Sequence, residues 1–172
     1  MVRKKGNFTV NVLICVDHSA ASTKAVQFAA GLLGKSSLSE LSVTLLHVAE
    51  LLPEYVLSDQ PAPGMTPRTL AEAWGERAQQ QGQQLLDLHQ QTLTNAGIAR
   101  TSLHSKLLTR DCLPESRKVA AALTLIEEIQ QGPYDVVCLG RRGASHLGSS
   151  FIGGVAEKVI RECQGKTVWL VD

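Results

Sequence analysis

Apolar residues gather along the chain in five short runs rich in β-branched side chains: Val12 to Val16, Leu41 to Val48, Leu103 to Leu108, Asp135 to Leu139 and Thr167 to Val171. Four are nearly continuous in apolar character, the pattern of strands covered on both faces, whereas Leu103 to Leu108 is mixed and reads as a sheet edge. Between the runs, apolar positions recur at helical spacing. Ser19 or Ser22 is suited to cap a first helix that places Ala25, Phe28, Ala29, Leu32 and Leu33 on one face and ends at Gly34. Thr66 and Pro67 open a second, which carries Leu70, Trp74, Ala78, Leu85, Leu88 and Leu93 and stops at Asn95-Ala96-Gly97. Gly75 and Gly82 inside it each cost ~1 kcal/mol relative to Ala, which leaves a kink or break there as an open alternative. A third helix follows Pro114-Glu115, buries Val119, Ala122, Leu123, Ile126 and Ile129, and ends at Gly132-Pro133. A fourth opens at Gly153-Gly154 and turns Val155, Val159, Ile160 and Cys163 toward the sheet. Strands alternating with helices imply right-handed β-α-β crossovers, hence an α/β fold with a doubly wound parallel sheet.

Two segments exceed a minimal alternating unit. Leu51 to Met65, with Pro53, Pro61 and Pro63, reads as a long loop after the second strand, either a lid or a tolerated surface insertion. Thr109 to Pro114 reads as an irregular link. The length of 172 residues and an apolar content of 44% suit one core built without metals or disulfides, so the expectation is a tail over residues 1–10 and a single domain over 11–172. With 17 Lys and Arg against 16 Asp and Glu, no general pull toward nucleic acid or an anionic membrane is expected. No stretch approaches the ~20 apolar residues of a membrane span. Met1 to Asn7 is basic but lacks the apolar core of a signal peptide, which points to a soluble cytoplasmic protein. Cys15, Cys112, Cys138 and Cys163 lack the spacing of a zinc site and read as reduced thiols, Cys15 and Cys138 as small hydrophobes inside strands.

The candidate chemistry lies between the fourth strand and the fourth helix, from Gly140 to Gly154. Such connections usually take about two to six residues, so this one needs a reason. Gly140 and Gly143 allow a tight turn and close approach of a ligand to the main chain. Gly153 and Gly154 leave bare amides at a helix N-terminus, where partial positive charge favours phosphate. Arg141, Arg142, Ser145, Ser149 and Ser150 add donors. Glycine spacing alone is also compatible with a loop that only turns corners.

In this context the chain resembles the universal stress protein family from Asn11 to Asp172. The resemblance rests on Val16-Asp17-x-Ser19 followed by Ser22, on Leu46-His47-Val48, and on Tyr134 to Leu139 running into G-x2-G-x9-G at Gly140, Gly143 and Gly153. Val155, Glu157-Lys158-Val159-Ile160 and the closing strand follow in order. It implies a five-stranded sheet of order 3-2-1-4-5 with helices on both faces, of the adenine-nucleotide alpha-hydrolase-like type. It also implies an ATP site in which Asp17 and His18 lie near the ribose and base and the main chain at Val48 meets adenine. Leu139, Gly140, Gly143, Gly153, Gly154 and Val155 would wrap the ribose and phosphates, usually with a divalent cation such as Mg on the phosphates. Members commonly dimerise through the last strand and act as regulators of stress survival more than as fast enzymes. The family's signature ends G-[ST], whereas Gly153 is followed here by Gly154, so one hydroxyl expected on the phosphates is missing.

Sharper chemistries fit less well. Ser145 and His146 with Asp17 fail the G-x-S-x-G elbow because Leu147 replaces its last glycine. His146-Leu147-Gly148-Ser149 lacks the second histidine of the H-x-G-H signature of nucleotidyltransferases. His18, His47 and His146 all lie near the carboxyl edge, but each has a simpler reading than a metal ligand. Two functions remain: a nucleotide-binding regulator, and a nucleotide-independent interaction module of the same fold.

Overall fold

The computed structural model describes residues 9–36, 40–52, 64, 66–111, 117–143 and 151–172, the side chains of 117 and 118 excepted. The chain runs β1 (Val10–Cys15), α1 (Ala20–Leu33), β2 (Leu41–Leu51), α2 (Pro67–Asn95), a single 3-10 turn (Arg100–Ser102), β3 (Leu103–Asp111), α3 (Arg117–Gln131), β4 (Val136–Gly140), α4 (Gly154–Glu162) and β5 (Thr167–Val171). All strand pairs are parallel and the order is β3-β2-β1-β4-β5. The chain thus winds outward from β1 in both directions. The carboxyl ends of β1 and β4 therefore flank a topological switch point, where ligands bind in sheets of this kind.

Side chains alternate across the sheet and divide the core into two layers. Val12, Ile14 and Val16 of the first strand region pack with Ala25, Val26, Ala29 and Leu33 of α1 and with Leu86 and Leu93 of α2. Leu13 and Cys15 pack on the other face with Leu125, Ile126 and Ile129 of α3 and Ala156 and Val159 of α4. The mixed run predicted as an edge is the edge strand β3. Thr109 to Asp111, read from sequence as part of an irregular link, instead extend β3 beside Ala49 to Leu51. An edge strand tolerates such polar residues because one side faces water.

Each helix is rotated somewhat from its expected face. In α1 Phe28 and Leu32 are about half exposed, at 47% and 48%, while Val26 and Ala30 are buried. The small side chains let α1 lie close on the sheet, and Phe28 meets Trp169 of β5 edge-on, ring centroids 5.7 Å apart. In α3 Val119 and Leu123 face outward and Leu125 takes a core place; in α4 Ile160 is exposed and Ala156 buried.

The largest correction concerns α2, which is one continuous helix across both glycines and opens with Thr66 as cap and Pro67 in its first turn. Its buried stripe is Gly75, Gly82, Leu86, His89 and Leu93, with Trp74 and Leu88 outside. A Cβ on Gly82 would stand 2.7 Å from both His47 Cδ2 and Leu107 Cδ1. That glycine is a contact point between helix and sheet, so its propensity cost is offset by closer packing.

Cys15, Cys138 and Cys163 are buried free thiols, and burial pushes Cys138 up to about 12, as expected of thiols that serve as packing. Cys112 lies outside the described residues, as do the loop residues 53–63 and 65. Among the described residues no helix is long and apolar enough to cross a membrane.

Candidate functional site

Beyond β1 the chain turns through Asp17, His18 and Ser19 into α1. Ser19 caps the helix: its Oγ accepts from the Ser22 amide at 3.0 Å. The same hydroxyl donates to Asp17 Oδ1 at 2.5 Å, and that oxygen also accepts from the Ser19 amide at 3.0 Å. The Asp17 amide donates to Ser22 Oγ at 3.0 Å. The carboxylate is thus held in a fixed orientation by the helix cap. Its other oxygen points toward the β4 loop, since a Cβ on Gly143 would lie 2.9 Å from Oδ2.

Across the crevice, β4 ends in direct contact with α1. A Cβ on Gly140 would stand 2.7 Å from the Ala21 carbonyl carbon and 2.8 Å from the Ser22 nitrogen. The close approach that Gly140 serves is therefore to the first turn of α1, and Leu139 beside it turns its side chain into the core. The far limb of the loop returns to the same place: the Gly153 amide donates to the Arg141 carbonyl at 2.8 Å. Gly153 is the N-cap of α4, and no described side chain bonds to the helix's first amides. Gly154 is exposed, with nothing among the described residues within 4 Å of a Cβ placed there. Val155 is half-buried against the core.

The third wall is β2. Its pairing with β1 ends at Cys15 and Leu46, extended by the Val16 amide donating to the Leu46 carbonyl at 2.8 Å. The Val16 carbonyl is bonded by His47 Nδ1 at 2.8 Å. Val48 lies just past this point, paired with Leu108 of β3. The exposed His18 meets His47 edge-on at 5.6 Å between ring centroids. Burial holds His47 below the usual histidine range, against the opposing pull of the Val16 carbonyl, with His18 lowering it further. His89 of α2 is likewise held low by burial and by His18, and its Nε2 is buried with no hydrogen-bond partner among the described residues. Two neutral histidines therefore stand in the layer behind His18 at neutral pH.

Asp17, Gly143, Gly153 and the start of α4 are thus brought together at the switch point, with His18 and Val48 on the β2 side. Arg141 and Arg142, expected to donate to phosphate, are turned elsewhere: both guanidinium groups engage Asp172, Arg142 at 3.5 Å. Ser145, His146, Gly148, Ser149 and Ser150 lie outside the described residues. Among the described residues no group of three or more His, Cys, Asp or Glu is arranged to hold a metal ion. Sequence reasoning missed the Ser19–Asp17 bond and the inward histidine of α2. The D-x-S spacing of Asp17 and Ser19, that of a side chain bonding two residues on, signalled the first. The second shows only once Gly75, Gly82 and His89, seven residues apart, are counted as one stripe.

A family model for the universal stress protein family matches residues 10–171. The chain belongs to that family. Its fold is similar to universal stress protein UspA from Lactobacillus plantarum, at TM-score 0.69 and 16% identity over 95% of this chain and 97% of that one. It is also similar to the hypothetical protein MJ0577, at TM-score 0.66 and 17% identity over 94% of both chains. A universal stress protein in complex with cAMP aligns at TM-score 0.55 and 17% identity, over 95% of this chain and 96% of that one. Among curated proteins none matches the sequence.

Proposed function

We propose that the crevice between the carboxyl ends of β1 and β4 binds an adenine nucleotide, ATP or a relative, and that the protein acts as a stress-response regulator rather than a fast enzyme. The observation that carries this reading is the convergence of Asp17 Oδ2, Gly143 and the N-terminus of α4. An oriented carboxylate suits the hydroxyls of a ribose, and amides at a helix N-terminus suit phosphate. Leu139, Gly140, Gly143, Gly153, Gly154 and Val155 would offer backbone to the ribose and phosphates, while Asp17, His18 and Val48 would border the ribose and base. A bound Mg would be held mainly by the phosphates and water, in keeping with a donor set that has no cage of carboxylates among the described residues. The relative in complex with cAMP supports an adenine ligand in this fold.

The free edge of β5 supports a homodimer. Among the described residues β5 pairs only with β4, and Val168 to Val171 are half-buried. A two-fold pairing of such edges is a common solution for an exposed strand. Turning both arginine heads to Asp172 favours the second reading, an interaction module that needs no nucleotide.

Calorimetric titration with ATP and mass spectrometry of protein purified without nucleotide separate the two. The expected result is a single ATP site that Gly143→Val abolishes, because the new side chain would press on Asp17, while circular dichroism stays unchanged. Absence of any adenine nucleotide binding at millimolar concentration would leave the interaction module in its place.

A further inference from the structure

Arg141 is the first residue beyond β4, and it touches three segments at once. Its amide donates to the Val171 carbonyl at 2.6 Å, which prolongs the β4–β5 ladder. Its carbonyl accepts from Gly153, the N-cap of α4. Its guanidinium donates through Nη1 to the Phe151 carbonyl at 2.8 Å, and through Nη2 to the Asp172 carboxylate just past β5. The same group stacks on the Phe151 ring, 4.4 Å from its centroid. Arg142 approaches the other oxygen of Asp172 at 3.5 Å. The Arg141 side chain is only 12% exposed although its partner Asp172 is 57% exposed.

A planar guanidinium can bond a carbonyl and a carboxylate and stack on a ring at the same time; an ammonium on a flexible stem cannot hold all three in one geometry. We infer that Arg141 is a positioning residue for the nucleotide: anchored on Asp172, it holds Phe151 to Gly154, and with them the N-terminus of α4, against the crevice. Nucleotide affinity then depends on the end of the edge strand, although neither Arg141 nor Asp172 need touch the ligand. The inference rests on the nucleotide reading above only for its consequence in affinity; the brace itself is a property of the ligand-free chain.

The test compares wild type, Arg141→Gln, Arg141→Lys and Asp172→Asn by hydrogen exchange without ligand and by titration with ATP and adenosine. Arg141→Gln is expected to speed exchange across Phe151 to Gly154 by about tenfold while β1 is unchanged, and to weaken ATP by about tenfold with less effect on adenosine. Arg141→Lys, which keeps the charge, should lie between, and Asp172→Asn should weaken ATP by a smaller factor. Exchange unchanged in Arg141→Gln, or raised equally in β1, overturns the inference. If wild type binds no ATP, the nucleotide reading fails and local exchange alone decides whether the brace exists.

Discussion

At the β4 side of the crevice a Cβ on Gly140 would meet main-chain atoms of Ala21 and Ser22, whereas behind the β2 side a Cβ on Gly82 would first meet the side chains of His47 and Leu107. The two glycines look alike in sequence, and the physics of replacing them differs. Backbone in the first turn of α1 is fixed by the Ser19 cap and its bond to Asp17, so an intruding methyl has nowhere to go. On the β2 side the end of Leu107 can rotate while His47 stays tied to the Val16 carbonyl, and alanine regains the ~1 kcal/mol of helix propensity that glycine gives up. The first contact is built to a fixed shape, and the second is a packing compromise with some slack.

The sharpest way to break this contrast is to make both substitutions. Gly140→Ala should cost ~3 kcal/mol by overpacking, a fall in Tm of roughly 6–12 °C for a domain of this size. Gly82→Ala should cost ~1 kcal/mol, the strain being partly offset by propensity. Thermal unfolding of the two variants against wild type measures both, and equal losses would show that backbone and side-chain contacts are equally unforgiving here.

Acid sharpens the comparison from the other side, because the β2 wall contains titrating groups. Burial, with His18 adding to it, lowers His47 and His89 from the usual 6.5, while Asp17 and Glu50 oppose the shift at His47. The unfolded chain therefore takes up protons first as pH falls below about 6.5, while the native chain resists. Stability should be full above that value and decline as pH drops toward 5, by at most ~1.4 kcal/mol per pH unit for each histidine. His89→Leu should flatten the decline without touching the Asp17 network. An unchanged slope in urea melts between pH 7 and 5 would mean that His89 is not held neutral by its surroundings.

What sequence could show follows the same division. The strands, their edge and the cap at Ser19 were legible because periodicity and capping act over a few residues. The glycine spacing pointed to the switch point for the same reason. Helix faces were less legible. Placing apolar side chains at helical spacing put Phe28, Trp74 and Leu88 inward, while the sheet also accepts α1 and α2 through Ala30, Gly75, Gly82 and His89. Closeness of approach is a tertiary property, and no local pattern records it. Arg141 illustrates the same limit: a basic residue in a phosphate-like loop suggests a phosphate donor, but its partner Asp172 is 31 residues away.

The smallest expected change in stability is at Gly154, and it bears most directly on what the crevice is for. The residue begins α4, and a Cβ there meets nothing within 4 Å among the described residues, so Gly154→Ser fits without displacing any of them. Because Gly153 is the N-cap, the new serine adds no cap and should raise stability by only a few tenths of a kcal/mol through helix propensity. Its hydroxyl would stand beside the α4 amides that are proposed to meet the phosphates. One added hydrogen bond contributes ~0.5 to 1.5 kcal/mol, up to about tenfold in ATP affinity, with a smaller gain for adenosine. Titration calorimetry with both ligands, beside a melting curve of the ligand-free variant, checks each part. Equal gains for ATP and adenosine would trace the effect to a firmer helix instead of a phosphate contact, and no gain for either would move the phosphates away from α4 altogether.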